Sequence, residues 1–103
     1  GGYVEHKIDH VVITVTNIER SIKWYKENLD VEVLYSDETW AIVKAGDTKI
    51  ALMVGNKHKP HIAFRVEDMH AFDQSEIGIH RDGVIYIYKE DPDGNCIEWV
   101  CYK

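Results

Sequence analysis

The sequence predicts an α+β fold in which two βαβββ modules form a curved mixed sheet. Several segments alternate apolar and polar residues as half-buried strands do, and one segment repeats its apolar residues at helical spacing. The pattern that opens the first half of the chain also recurs in the second half. With 103 residues, the chain has the length of one domain. We expect a single domain over 1–103, with module one at about 7–54, a linker at 55–60 and module two at about 61–102.

Module one opens with a predicted strand over residues 7–16. Side chains alternate between the two faces of a strand, so Val11, Ile13 and Val15 share one face. This apolar face is the expected core face. His10 lies on the opposite face, where a polar side chain calls for a separate explanation.

A helix over residues 18–29 is predicted to follow the first strand. Asn17 can cap its N-terminus, and apolar residues then recur every three or four positions along one side. Polar turn residues separate the segments that come next. The remaining strands of module one are expected near residues 31–36, 39–45 and 48–54.

Module two is indicated by an internal repeat. The segment Asp9–Ile18 matches Pro60–Met69 at a constant offset, which makes His10 and His61 equivalent positions. After the strand that begins at His61, the pattern predicts a short helix and a closing set of strands, at about residues 67–74, 77–81, 84–88 and 96–102.

Composition and charge exclude some functions. The net charge of −6 disfavours a nucleic-acid partner, because phosphate binding depends on clustered Lys and Arg. No apolar run approaches the roughly 20 residues of a membrane helix. Cys96 and Cys101 are predicted to lie on opposite faces of one strand, where they cannot bridge each other. Reduced cysteines and the lack of an export signal favour a cytoplasmic protein with a small-molecule partner.

The closing strand carries a carboxylate in an apolar setting. Glu98 lies between Ile97 and Trp99, and a buried carboxylate is costly unless it is paired or bound to a metal. If the two modules line one cavity, His10, His61 and Glu98 all face it. A strand histidine taken alone is more often a hydrogen-bonded core residue. Matched histidines with a carboxylate instead favour a divalent metal site of the kind found in non-haem Fe(II) oxygenases.

The same residues resemble those of the vicinal oxygen chelate superfamily, which includes glyoxalase, bleomycin resistance protein and extradiol dioxygenase. The resemblance covers nearly the whole chain and implies a sheet that surrounds a metal-binding cavity. It is carried by four segments: Ile8-Asp9-His10-Val11, Trp24-Tyr25, His61-Ile62-Ala63-Phe64 and the run from Asp91 to Glu98.

The closing hairpin is similar to the extradiol dioxygenase signature. The matching spacing is Gly78-x-His80, six residues, Ile87-Tyr88, two residues, Asp91-Pro92-x-Gly94, three residues and Glu98. The resemblance implies that Glu98 is an iron ligand, that Tyr88 hydrogen-bonds a substrate oxygen, and that His80 is a catalytic acid/base beside the oxygen molecule. The alternatives are that His80 is an exposed loop residue and Tyr88 an ordinary strand aromatic.

Three functional hypotheses stay open. The first is a dioxygenase-like metalloenzyme with one divalent ion per site, Fe(II) favoured, acting on a substrate with vicinal oxygens. The second is a glyoxalase-like lyase or fosfomycin-type transferase using the same ligands with Mn(II), Zn(II) or Ni(II). By resemblance, glyoxalases and epimerases carry a fourth ligand where this chain has Ala51, which disfavours that branch. The third is a metal-free small-molecule-binding protein, as in drug resistance.

A homodimer is expected from the predicted fold. Short strand modules leave sheet edges and apolar surface uncovered, and a second copy would cover both. The modules of related folds can pair across subunits, so the ligands could come from one chain or from two.

Overall fold

The computed structural model describes residues 7–56 and 59–102, and it confirms the α+β class. Its elements in chain order are β1 (Lys7–Val15), α1 (Ile18–Asn28), β2 (Val31–Ser36), β3 (Trp40–Ala45), β4 (Thr48–Val54), β5 (His61–Arg65), a 3₁₀ helix (Gln74–Glu76), β6 (Gly78–Ile79), β7 (Ile85–Glu90) and β8 (Cys96–Cys101). The eight strands belong to a mixed sheet, in which β2, β3, β4 and β1 are neighbours in that order, as are β5, β8, β7 and β6.

Backbone contacts divide the described residues into two compact units. The first unit comprises residues 10–56 with 59–61, and the second comprises residues 7–9 with 62–102. The predicted division into one domain with two modules stays a prediction. Lys57 and His58 of the predicted linker lie outside the described residues. Within the described ranges, no helix is long and apolar enough to span a membrane.

The first unit contains the predicted helix and strands with shifts of one residue at some ends. β1 pairs with β4 in parallel, and β3 pairs antiparallel with β2 and β4. Asn17 caps α1, since its side chain accepts a hydrogen bond from Arg20 N at 2.8 Å. The helix ends at Asn28 rather than at Leu29, whose extended backbone still donates to the Tyr25 carbonyl.

The core of the first unit lies between α1 and the strands. Ile18, Ala41 and Leu52 form its buried centre, and partly buried side chains surround them, namely Ile13, Val15, Ile22, Tyr25 and Ile50. The predicted core face of β1 therefore does pack against the helix. Val12, on the same face as His10, is also buried, with 4% of the residue exposed.

The second unit is built on an antiparallel meander. β6 pairs with β7 and β7 pairs with β8. Its buried core comprises Val66, Met69, Ile87 and Cys101, with Phe72, Ile77, Ile85 and Trp99 packed against them. Cys96 and Cys101 do not form a disulfide with each other, as predicted.

The predicted helix over residues 67–74 is wrong. The chain instead forms turns followed by the 3₁₀ helix Gln74–Glu76. Asp68 accepts a hydrogen bond from His70 N, and Asp73 accepts one from Ser75 N. Such local side-chain bonds offer the backbone an alternative to the helix, and a run this short has little helical stability of its own.

The weak strand predicted over residues 77–81 is shorter than expected. β6 covers two residues, Gly78–Ile79. Beyond it the chain turns back at once, because His80 N donates to the Val84 carbonyl at 2.9 Å and Gly83 N donates to the His80 carbonyl at 2.9 Å. This early turn places His80 at the end of the strand pair rather than within it.

Asp37 organises the turn between β2 and β3. Its Oδ1 accepts hydrogen bonds from Thr39 N at 2.7 Å and Trp40 N at 2.9 Å, and its Oδ2 accepts one from the Tyr35 hydroxyl at 2.6 Å. The Tyr35 hydroxyl, followed by the backbone amides, holds the pKa of the Asp37 carboxyl well below its ordinary value of 3.8. These donors favour the ionised form of the carboxylate.

We expect Asp37→Ala to lower the stability of the fold at neutral pH. Because the pKa is lower in the folded state, the contribution of Asp37 is complete above 3.8 and is lost progressively as the pH falls below that value. Urea unfolding at several pH values should show that the difference in the free energy of unfolding between wild type and Asp37→Ala becomes smaller as the pH falls. Asp37→Asn, which cannot gain a proton there, serves as the comparison. A wild-type-to-Ala gap that does not change with pH would contradict this account.

Candidate functional site

The first unit brings together the two histidines predicted as metal ligands. His10 lies in β1, and His61 is the first residue of β5. Their ring centroids are 5.7 Å apart, with the rings at 75° in an edge arrangement. This placement agrees with the equivalence of the two positions in the sequence repeat.

The imidazole of His61 is oriented by the main chain. Its Nδ1 lies 2.7 Å from the carbonyl oxygen of Lys59, and the residue is only 9% exposed. A carbonyl can only accept a hydrogen bond, so Nδ1 carries the proton in the neutral ring. Nε2 is then the nitrogen with a lone pair, and such a bond is typical of histidines that coordinate metals.

The second unit contains the buried carboxylate that the sequence predicted. Glu98 is 1% exposed in the middle of β8. His80 lies in the turn after β6, and its Nε2 is 3.1 Å from Glu98 Oε2. His80 is therefore a partner of the buried carboxylate and not a loop residue that faces only water.

Tyr88 lies directly across the strand pair from Glu98. The register of β7 and β8 makes the two residues Cα partners. The Tyr88 side chain is partly open, with 42% of the residue exposed. Its burial, and secondarily the Glu98 carboxylate, raises the pKa of the phenol above its ordinary value of 10.0. A phenol that keeps its proton can donate a hydrogen bond.

The chemistry of these side chains fits a divalent transition metal. Among residues 7–56 and 59–102, His10, His61 and Glu98 are side chains of the kinds that ligate such an ion. Two imidazole nitrogens and a carboxylate oxygen suit Fe(II), Mn(II), Zn(II) or Ni(II) better than Mg²⁺ or Ca²⁺, which prefer oxygen ligands. Three protein ligands also leave positions for substrate, as catalytic sites do and closed structural zinc sites do not.

The residue at the position expected for a fourth metal ligand, Ala51, is apolar. Ala51 is buried in β4, where it pairs with Val12 of β1. A methyl side chain has no atom that can coordinate a metal. That this position corresponds to the fourth ligand of glyoxalases stays a prediction.

The contact of His80 with Tyr86 was not predicted from the sequence. The imidazole stacks on the ring of Tyr86, with centroids 3.8 Å apart and an angle of 16° between the rings. Tyr86 in turn is the Cα partner of Gly78. Gly78 and His80 are only two positions apart in the sequence. The sequence does not determine the strand register that places Tyr86 beside both of them.

Comparison with known proteins identifies the fold and the family. No curated protein matches the chain. Among solved structures, a hypothetical protein from Bacillus halodurans C-125 is 19% identical, with a TM-score of 0.73 and 96% of each chain covered. Methylmalonyl-CoA epimerase from Mycobacterium tuberculosis is also 19% identical, with a TM-score of 0.69, 93% of this chain and 87% of that chain covered.

A longer protein shares the same fold. An extradiol ring-cleaving dioxygenase from B. fuscum is 20% identical, with a TM-score of 0.73 over 97% of this chain and 33% of that chain. Identities this low show the fold alone. The family itself is shown by a profile that matches residues 7–99. The chain therefore belongs to the glyoxalase/bleomycin resistance protein/dioxygenase superfamily.

Proposed function

We propose that the chain is a metal-dependent enzyme that acts on a small molecule, with one divalent ion held by His10, His61 and Glu98. The observations that carry the proposal are the two imidazoles of His10 and His61, whose ring centroids are 5.7 Å apart, and the Glu98 carboxylate, which is 1% exposed. Membership of the superfamily, whose profile matches residues 7–99, supports the proposal. The orientation of His61 by the Lys59 carbonyl favours coordination through Nε2.

Fe(II) is the favoured ion, with Mn(II), Zn(II) and Ni(II) as alternatives. When bound, such an ion would supply Lewis acidity to two adjacent substrate oxygens and lower the pKa of substrate hydroxyls. The substrate class that this favours is a small molecule with vicinal oxygens.

We place the activity nearest to extradiol-type dioxygenases. The hairpin spacing supports this, together with the register that sets Tyr88 across from Glu98. In this proposal the Tyr88 hydroxyl donates a hydrogen bond to a substrate oxygen. Both atoms of O2 enter the ring-opened product, and the aromatic diol supplies the electrons, so one O2 is consumed per substrate. Resemblance implies that His80 is a catalytic acid/base. Its direct contact with Glu98 instead favours a role in orienting that carboxylate.

A glyoxalase-like or epimerase-like activity is the second candidate. It is favoured by the likeness of the fold to methylmalonyl-CoA epimerase from Mycobacterium tuberculosis, which has a TM-score of 0.69. Ala51 counts against it, because the corresponding ligand would be missing. Oxygen uptake distinguishes the two candidates, because neither lyase nor epimerase chemistry consumes O2.

We expect protein purified without chelators to contain one divalent ion per chain, as measured by elemental analysis. His10→Ala, His61→Ala and Glu98→Ala should each weaken metal binding more than about 100-fold, since even the partners of metal ligands contribute 10- to 100-fold. His70→Ala is the matched control, because the His70 side chain is 90% exposed. Metal content that is unchanged in the three variants would end the proposal.

We expect the Fe(II)-loaded protein to consume O2 and cleave the ring of at least one compound in a catechol panel. Tyr88→Phe should lower turnover about 10-fold or more, as removal of one hydrogen bond to a charged oxygen does. An oxygen electrode and the absorbance of the ring-opened product give the two readouts. Metal binding without oxygen uptake would favour the lyase or epimerase. Full ligand binding in the presence of a chelator would favour a metal-free binding protein.

We also propose that the protein is a homodimer. Among the described residues, β2 pairs with β3 and β6 pairs with β7, each along one edge, so the other edge of each strand is a candidate for pairing with a second copy. Leu34 and Tyr35 of β2 are exposed apolar residues near one of these edges. Sedimentation should give the mass of two chains at micromolar concentration, and a monomeric mass there would contradict the proposal.

A further inference from the structure

The Tyr86 ring packs against Gly78 in the strand pair β6 and β7. The two residues are Cα partners. A Cβ atom placed on Gly78 would lie 2.5 Å from Tyr86 Cζ and 2.6 Å from Tyr86 Oη. No real Cβ tolerates such distances, so the ring occupies the space that any other residue at position 78 would fill. Gly78 does not have a positive φ, which means that its role depends on space and not on backbone conformation.

The ring of Tyr86 supports the imidazole of His80. Their stacking, at 3.8 Å and 16°, fixes the plane of the imidazole. The backbone of His80 is fixed as well, since its N–H donates to the Val84 carbonyl at 2.9 Å. Position and plane together direct Nε2 to Glu98 Oε2, 3.1 Å away.

We propose that His80 is a positioning residue, whose imidazole holds the Glu98 carboxylate in the orientation needed for metal binding, and that Tyr86 on Gly78 holds the imidazole. The inference rests on the proposed metal site. It differs from the acid/base role that resemblance implies, because the contact of His80 is with the ligand itself.

The physical reason is the rotational freedom of the carboxylate. A Glu side chain loses conformational entropy when it binds an ion, and a hydrogen bond that already fixes one oxygen removes part of that cost. Groups that orient metal ligands in this way typically contribute about 10- to 100-fold in affinity. Gly78, Tyr86 and His80 would therefore act on the metal through Glu98 without touching substrate.

Zn(II) affinity, measured by competition with a chromophoric chelator, tests the role of His80. We expect His80→Leu to weaken Zn(II) binding about 10- to 100-fold. His80→Gln should restore much of the affinity, because its amide can donate a hydrogen bond from nearly the same place as Nε2. An acid/base role predicts instead that both variants bind Zn(II) like wild type and lose only turnover. His70→Gln is the control for exchanging a histidine.

The support beneath His80 is tested by three variants. Gly78→Ala and Tyr86→Leu should weaken Zn(II) binding in the same range, whereas Tyr86→Phe, which keeps the ring, should not. Ile79→Ala is the control on the same strand, since Ile79 is 69% exposed. Thermal unfolding of the metal-free proteins identifies any variant that fails to fold. If Gly78→Ala fails to fold, the Zn(II) affinities of Tyr86→Phe and Tyr86→Leu still show whether the aromatic ring is needed.

A second readout needs no metal. In proton NMR spectra of the metal-free protein, the ring protons of His80 should be shifted upfield by the Tyr86 ring. Gly78→Ala and Tyr86→Leu should remove that shift. If wild type binds Zn(II) and all variants bind it equally well, the inference is overturned. If wild type binds no metal, the proposed function fails, and the NMR shift separately reports whether the Gly78, Tyr86 and His80 contact exists.

Discussion

The burial of the Glu98 carboxylate constrains the second unit of this protein. A carboxylate that is 1% exposed has lost nearly all of its hydration, and this cost must be offset by hydrogen bonds, opposite charge or a bound ion. His80 supplies one hydrogen-bond partner. Tyr88 stands across the strand pair, with a phenol whose raised pKa keeps it protonated. The strand residues around Glu98 thus form a polar cluster inside an otherwise apolar element.

This cluster depends on the register of the hairpin, and the register depends on the turn. Asp91 Oδ1 accepts hydrogen bonds from Asp93 N at 2.9 Å and Asn95 N at 2.8 Å, and Gly94 takes a positive φ of 83°. A slip of one residue would turn every side chain of β8 to the other face. Glu98 would then exchange places with an apolar neighbour. The turn therefore stabilises the polar cluster by fixing the strand register, although the turn residues themselves are not part of the cluster.

Much of the fold could be predicted because local sequence and burial agree along most of the chain. The alternation in β1 and the spacing in α1 reflect the packing of Ile13, Val15, Ile18 and Ile22 in one core, which periodicity reports well. Prediction failed where short-range side-chain bonds compete with a helix, as at Asp68 and Asp73. It was also incomplete at Val12, because periodicity cannot report that both faces of a strand include buried residues.

For the candidate site, the sequence indicated individual residues better than their contacts. Glu98 could be recognised because a charged side chain interrupts an apolar strand, and the histidines because they occupy matched positions in a repeat. The stacking of His80 on Tyr86 could not be recognised, because it depends on strand register and on the space that Gly78, which has no side chain, leaves for the Tyr86 ring. Such contacts are set by backbone geometry, which composition and spacing do not determine.

The absence of a helix over the described residues 67–74 has a dynamic consequence. In the first unit, α1 covers its core as a cooperative element of 11 residues. The buried Val66 and Met69 of the second unit lie beside turns and one 3₁₀ turn, which have few internal backbone hydrogen bonds to lose. Segments of that kind open locally at low free energy, so amide hydrogens there should exchange with solvent sooner than those of α1. The two halves of the sequence repeat, similar in pattern, would then differ in how readily each lets water reach its interior.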